Sequence, residues 1–186
     1  MKLKFYKEWL PLEKAQFRIM AMLADKGKYH GTIGGLCDYF FVGRQQKTRN
    51  TIKEAIAVLE KEGFIKANRK GNTWTLEIIP KAEETAVEID SEWYRLIRLR
   101  SPHGRSVSWE VILKVLLWAC DNDYDDIITN QDISNDTNIS PQQICNAKAV
   151  LDNEFGAIIK KRVSEQIRDG EFRNLGQHLT ATAFWK

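Results

Sequence analysis

Apolar residues recur at helical spacing in three segments near the start of the chain. This spacing predicts a first helix over residues 12–25, with Gly27 as its stop. A loop over residues 26–31 follows. Thr32 is a favourable N-cap for a short second helix, and a third helix is predicted over residues 45–62. The apolar stripe of the third helix consists of Thr48, Ile52, Ala55, Ile56 and Leu59.

An alternating pattern replaces the helical period after Gly63. Residues 64–67 and 73–79 predict two strands, and the polar, glycine-containing segment 68–72 predicts the turn between them. Pro80 ends the second strand because proline cannot donate a ladder hydrogen bond. The first part of the chain is therefore predicted to hold three helices and a β-hairpin.

Similar elements are predicted in the second part of the chain, beyond the acidic stretch 81–90. Ser91 begins a short helix, and Trp109 begins a longer amphipathic one. Thr129 opens a short helix with a capping box, and Ser140 precedes a proline that favours a helix start. The apolar stripe of that last helix is predicted to consist of Ile144, Ala147, Val150 and Leu151.

A second hairpin is predicted after this helix. Residues 158–163 form its first strand, Asp169 and Gly170 its turn, and Phe172 begins its second strand. The order helix, helix, helix, strand, turn, strand thus occurs twice, which predicts two domains. Their predicted boundaries are residues 1–80 for the N-terminal domain, 81–90 for an acidic linker and 91–186 for the C-terminal domain.

Composition places the chain among ordered globular proteins. Of its 186 residues, 43% are hydrophobic and 28% are charged, which is enough apolar material for packed cores. Its three cysteines include no CxxC pair, which disfavours a disulfide framework and a thiolate zinc site. The sequence shows neither a secretory signal pattern nor a membrane-spanning stretch. We therefore expect a cytoplasmic protein without a membrane partner.

The charge is divided unevenly along the chain. Residues 1–80 hold 15 Lys and Arg against 8 Asp and Glu, a net charge of +7, whereas residues 81–186 hold 13 against 17, a net charge of −4. A basic segment is typical of proteins that bind polyanions, because each neutralised phosphate releases counterions. The alternative is an ordinary solvated surface rich in lysine.

The polar face of the third predicted helix is a candidate surface for reading DNA. Arg and Lys can donate to guanine, and Asn and Gln can pair with adenine in the major groove. The hairpin turn adds cations that can follow a phosphate backbone or enter a minor groove. The candidates in the first part are Gln46, Lys47, Arg49, Asn50, Lys53, Arg69 and Lys70. The corresponding helix in the second part offers Gln142, Gln143 and Asn146.

The sequence AIAVLEKEGFIKANRKGNTWTLEI, with the predicted order of elements, resembles the winged helix-turn-helix family over residues 12–79. A second resemblance to this family is carried by ITNQDISNDTNISPQQICNAKAVLDNEFGAII. The resemblance implies a mainly α fold with small antiparallel β wings, arranged as two winged helix modules in tandem. It further implies a non-enzymatic protein that binds duplex DNA, either a transcription regulator or a replication-initiation factor of a bacterium, plasmid or phage.

An alternative function remains open at the level of sequence. Winged helices also serve as assembly modules, and the third helix of the second copy is nearly uncharged. Under this alternative, the chain serves as a protein–protein interaction scaffold in a nucleoprotein assembly. In either case the expected partners besides duplex DNA are a second copy of the chain or a replication or transcription protein.

No motif in the chain predicts catalysis. Asp121, Asp123 and Asp125 have the spacing of a calcium-binding loop, but Asp126 stands where that loop needs glycine and Asp132 where it needs glutamate. The histidines lack HExxH spacing, and the glycines lack the spacing of a phosphate-binding loop. We therefore expect no catalytic residue, no metal, no cofactor and no enzymatic activity.

Overall fold

The computed structural model describes residues 1–80, 86–100, 107–122, 125–167 and 172–182. The chain divides into two units, Leu3–Ala86 and Val87–Lys186, the second of which includes Met1–Lys2. We call them the N-terminal unit and the C-terminal unit. Both combine α-helices with small antiparallel sheets.

Helices and strands alternate in the N-terminal part of the chain. The elements there are β1 (Lys2–Tyr6), a short 3-10 helix (Lys7–Trp9), α1 (Lys14–Lys26), β2 (Lys28–Thr32), α2 (Ile33–Tyr39), α3 (Gln46–Lys61), β3 (Ile65–Lys70) and β4 (Thr73–Ile78). The strands of the three-stranded sheet are antiparallel and lie in the order β2-β4-β3. Ile65 lies opposite Ile78, and Lys70 lies opposite Thr73, so the hairpin turn consists of Gly71 and Asn72 alone.

The predicted helices of this unit are confirmed. Four residues of the α3 stripe are buried, from Ile52 to Leu59, while Thr48 is half-buried. Thr32 caps α2 as predicted, because its hydroxyl accepts a hydrogen bond from the backbone nitrogen of Gly35 at 3.2 Å. Gly63 follows α3 with a φ of 74°, a conformation that favours glycine.

The predicted loop over residues 26–31 is wrong, because most of it belongs to β2. This strand has no apolar alternation, so its sequence pattern does not indicate a strand. Pairing with β4 stabilises it through backbone hydrogen bonds along the whole strand. Lys28 forms an ion pair with Glu77, and the His30 ring nitrogen Nδ1 lies 2.9 Å from the Thr75 hydroxyl.

The second part of the chain contains four helices and three strands among its described residues. They are β5 (Ala86–Asp90), α4 (Ser91–Arg100), α5 (Trp109–Asp121), α6 (Asn130–Thr137), α7 (Pro141–Asn153), β6 (Ile158–Gln166) and β7 (Phe172–Ala181). Residues 86–90 of the predicted linker are thus a strand, because Val87 and Ile89 alternate with polar residues and Ile89 is fully buried. Residues 81–85 and the predicted turn at Asp169 and Gly170 lie outside the described residues.

The C-terminal unit has its core around α5, which is buried along almost its whole length. Thr129 and Asp132 form the predicted capping box of α6, in which the Asp132 carboxylate accepts the Thr129 backbone N–H at 2.6 Å. Ser140 caps α7 as predicted. One member of the predicted α7 stripe is wrong: Val150 is only half-buried, and Lys148 takes the inner position.

Candidate nucleic-acid interface

Three of the predicted residues of α3 line a single groove. Gln46, Arg49 and Lys53 follow one another at steps of three and four residues, which places them on the same side of the helix. Arg49 and Lys53 are half-buried, since they lie next to the apolar stripe. The Arg49 Nε is buried and makes no hydrogen bond within the described part of the chain.

Arg44 adds a cation that the sequence analysis did not identify. It lies in the connection between α2 and α3, and its guanidinium donates two hydrogen bonds to the Asp38 carboxylate, of which the one from Nε measures 2.7 Å. These bonds hold the pKa of Asp38 below its ordinary value. No sequence motif marks this pair, because the turn between α2 and α3 is what aligns the two side chains.

The hairpin β3-β4 provides the opposite side of the groove. Arg69 and Trp74 face each other across the two strands. The Arg69 guanidinium lies over the Trp74 ring, 5.5 Å from the ring centre, and its Nε donates to the backbone oxygen of Gly71 at 2.8 Å. The cation–π contact and this hydrogen bond together restrict the orientation of Arg69.

These side chains form a basic groove of about 360 Å³, which we call the N-terminal groove. Among the described residues, its lining includes four cations and no carboxylate. Such an arrangement produces a positive potential that attracts anions. The residues that define the groove are Arg44, Gln46, Arg49, Lys53, Arg69 and Trp74.

The structure does not bring every predicted residue of this unit into the groove. Asn50 accepts a hydrogen bond from Gln46 at 2.8 Å, so its side chain lies beside the groove lining. Lys47 lines a different groove, together with Arg18 of α1. Lys70, the last residue of β3, lines another pocket together with His30 of β2.

The three predicted residues of the C-terminal unit lie on the outer surface of α7. Gln142 and Gln143 are exposed, and Asn146 is half-buried. Gln142 donates to Asn146 at 3.1 Å, and Gln143 accepts from the Ser140 hydroxyl at 3.1 Å. None of the three lines the groove that α7 forms with the hairpin β6-β7.

Two cations that were not predicted line this second groove, which has a volume of about 310 Å³. Lys148 of α7 is only 6% exposed, and Arg162 of β6 is exposed. The sequence could have indicated the inward position of Lys148. Apolar residues spaced by three and four positions form a stripe on this helix, and Lys148 lies within that stripe. We call this site the C-terminal groove, defined by Asn130, Cys145, Lys148, Arg162, Asn174 and Gln177.

Comparison of the chain with protein-family models found no match, and comparison with curated proteins found none either. Among the described residues there is no group of three or more His, Cys, Asp and Glu side chains that could hold a metal ion. In the same part of the chain, no helix has the length and apolar character needed to cross a membrane.

Proposed function

We propose that this chain is a non-enzymatic protein that binds duplex DNA, and that the N-terminal groove makes its main contact. The observation that carries this proposal is the convergence of Arg49, Lys53 and Arg69 on one concave surface without a carboxylate in its described lining. Arg44 lies on the same surface with its guanidinium paired to Asp38. Cations of a solvated surface are usually interspersed with acidic residues. A cluster of cations on a helix and a neighbouring hairpin is suited to a polyanion.

The two sides of the groove are suited to different parts of a DNA duplex. An α-helix fits the major groove, where Arg49 and Lys53 can donate to guanine and Gln46 can pair with adenine. Arg69 extends from a hairpin that can follow the phosphate backbone.

We further propose that each unit is a winged helix module, with the two modules in tandem. The recurrence of a capped short helix, a longer helix and an antiparallel hairpin supports this interpretation. The chain is then a transcription regulator or a replication-initiation factor of a bacterium, plasmid or phage, and acts in the cytoplasm. Its further partners are a second copy or a replication or transcription protein.

The test is DNA binding by the full-length chain carrying Arg49→Ala and Lys53→Ala together. Each side chain supplies a charge-assisted hydrogen bond, so we expect the double variant to bind duplex DNA at least about 100-fold more weakly. A gel-shift titration at constant salt measures the affinity, and circular dichroism checks that the helices are intact.

The matched control is Lys61→Ala with Lys66→Ala, which removes the same charge outside the groove lining. We expect this control to lose only a small part of the affinity, because exposed charges at a distance are screened by salt. Equal affinity losses in the two double variants would contradict the assignment of the groove. Absence of DNA binding by the unmodified chain would favour the assembly scaffold instead.

A further inference from the structure

The third helices of the two units bury side chains at the same spacing but differ at one position. In α3 the buried residues are Ile52, Ala55, Ile56 and Leu59. In α7 they are Ile144, Ala147, Lys148 and Leu151. Lys148 therefore occupies the core position that an isoleucine occupies in the first unit.

The surroundings of Lys148 do not balance its charge. Its Nζ donates to the side-chain oxygen of Asn130, which is its hydrogen-bond partner within the described part of the chain. The nearby cation Lys160 is itself paired with Asp152 at 2.8 Å. A buried ammonium is normally compensated by a carboxylate, and the described lining of the C-terminal groove contains none.

A second cation and two amides lie around the same groove. The Arg162 side chain, opposite Gln177 in the ladder, makes neither an ion pair nor a hydrogen bond with another described residue. Asn174 uses its side-chain oxygen to accept the backbone N–H of Gly176 at 3.1 Å, which leaves its NH₂ group as a donor. Gln177, on the same strand, adds a second amide to the lining.

We propose that the C-terminal groove is a phosphate-binding site in which Lys148 and Arg162 neutralise the anion and the amides of Asn174 and Gln177 donate to its oxygens. Two sources share this chemistry: a backbone phosphate of duplex DNA and a free phosphorylated small molecule. The inference goes beyond the proposed function and does not depend on it, because inorganic phosphate can be tested without DNA.

The protonation state of Lys148 makes phosphate binding at this site dependent on pH. The pKa of Lys148 is lowered to about 8, chiefly by burial; Cys145 raises it and the neighbouring Lys160 lowers it, each by less than burial does. Phosphate binding therefore weakens as the pH rises through about 8, because the ammonium form of Lys148 is lost.

The first experiment measures binding of inorganic phosphate and pyrophosphate to the full-length chain by calorimetry at constant ionic strength. We expect Lys148→Met and Arg162→Gln each to weaken binding about tenfold or more, since each removes a charge-assisted hydrogen bond. Lys161→Gln is the matched control, because its side chain points to the other face of β6. Thermal melting of each variant checks that the unit is folded.

A pH series adds a readout that a merely structural lysine does not affect. The unmodified chain and Cys145→Ser should both lose phosphate affinity between about pH 7 and pH 9.5, and Lys148→Met should show no such loss. Phosphate affinity that is the same in the unmodified chain, Lys148→Met and Arg162→Gln would overturn the proposal. Absence of phosphate binding by the unmodified chain would overturn it as well, unless the DNA measurement shows a dependence on Lys148.

The second experiment compares DNA affinity and its salt dependence for the unmodified chain and Lys148→Met. Weaker DNA binding, with a salt slope smaller by about one, identifies the DNA backbone as the source of the phosphate. Unchanged DNA affinity together with lost phosphate binding identifies a free phosphorylated ligand. If the unmodified chain binds phosphate but not DNA, the proposed function fails while this site stands.

Discussion

At the scale of single residues, the most informative side chain is Lys148. Its position in α7 corresponds to an apolar position in α3, and it is buried there without a carboxylate partner within the described residues. A charge in such surroundings costs folding free energy. Retaining it in a core position is physically reasonable where a ligand supplies the missing opposite charge.

Replacing Lys148 by methionine is expected to stabilise the C-terminal unit at pH 7. The pKa of Lys148 is about 8 in the folded chain, against an ordinary value of 10.5. A difference of this size corresponds to at most about 3 kcal/mol, and part of it is offset by the lost hydrogen bond to Asn130. We therefore expect the free energy of unfolding to rise by about 1–3 kcal/mol in denaturant titrations.

The size of this effect depends on pH in a defined window. The folded-state pKa is lowered, so the unfolded chain binds more protons between about pH 8 and pH 10.5. The cost of burying Lys148 is fully present below pH 8 and disappears as the pH approaches 10.5. The stabilising effect of Lys148→Met should therefore shrink over that range, whereas the effect of the control Ile56→Met should not depend on pH.

At the scale of elements, the α3 stripe decides which side chains reach the N-terminal groove. Leu59 and Ile56 are buried between α3 and the rest of the N-terminal unit. Their burial orients Arg49 and Lys53 toward the hairpin. The corresponding stripe in α7 includes Lys148. Two helices with similar stripes therefore produce grooves that differ in the cations lining them.

Leu59→Ala is expected to destabilise the N-terminal unit by about 2–5 kcal/mol. Leu59 is fully buried, so its truncation removes apolar contacts and leaves a cavity in a small core. Chemical denaturation monitored by circular dichroism measures the change. Glu54→Ala, on the exposed side of the same helix, should change stability by no more than about 0.5 kcal/mol. A Leu59→Ala variant as stable as this control would show that the helix packs through a different face.

At the scale of the whole molecule, the uneven charge distribution bears on the proposed binding of DNA. Residues 1–80 carry a net charge of +7 and residues 81–186 a net charge of −4. Four cations of the first part line the N-terminal groove, whereas two cations line the C-terminal groove. The first part is therefore expected to provide most of the affinity for DNA.

DNA binding by the full-length chain should depend strongly on salt. If Arg49, Lys53 and Arg69 of the N-terminal groove each neutralise one phosphate, the logarithm of the binding constant falls with the logarithm of salt concentration with a slope of about −3. Titrations between about 50 and 200 mM salt measure this slope. A slope near zero would contradict an electrostatic contact, whatever the affinity.

The sequence alone determined the elements whose signals are local. Capping residues such as Thr32, Thr129 and Ser140 and apolar stripes such as that of α3 predicted most helices, because neighbouring residues along the chain carry those signals. The strand β2 was missed, since its stability comes from pairing with β4, a segment distant in sequence.

The same distinction applies to the candidate site. Arg49 and Lys53 could be selected from the sequence because helix periodicity places them off the apolar stripe, and Arg69 because it lies close to the hairpin turn; the predicted turn over residues 68–72 is too long, since Arg69 belongs to β3. Only the tertiary structure decided that these cations share one groove with Arg44, and that Lys148 rather than the surface amides of α7 lines the second groove. Grooves form between elements that are far apart in the chain, so their composition depends on packing that no local pattern encodes.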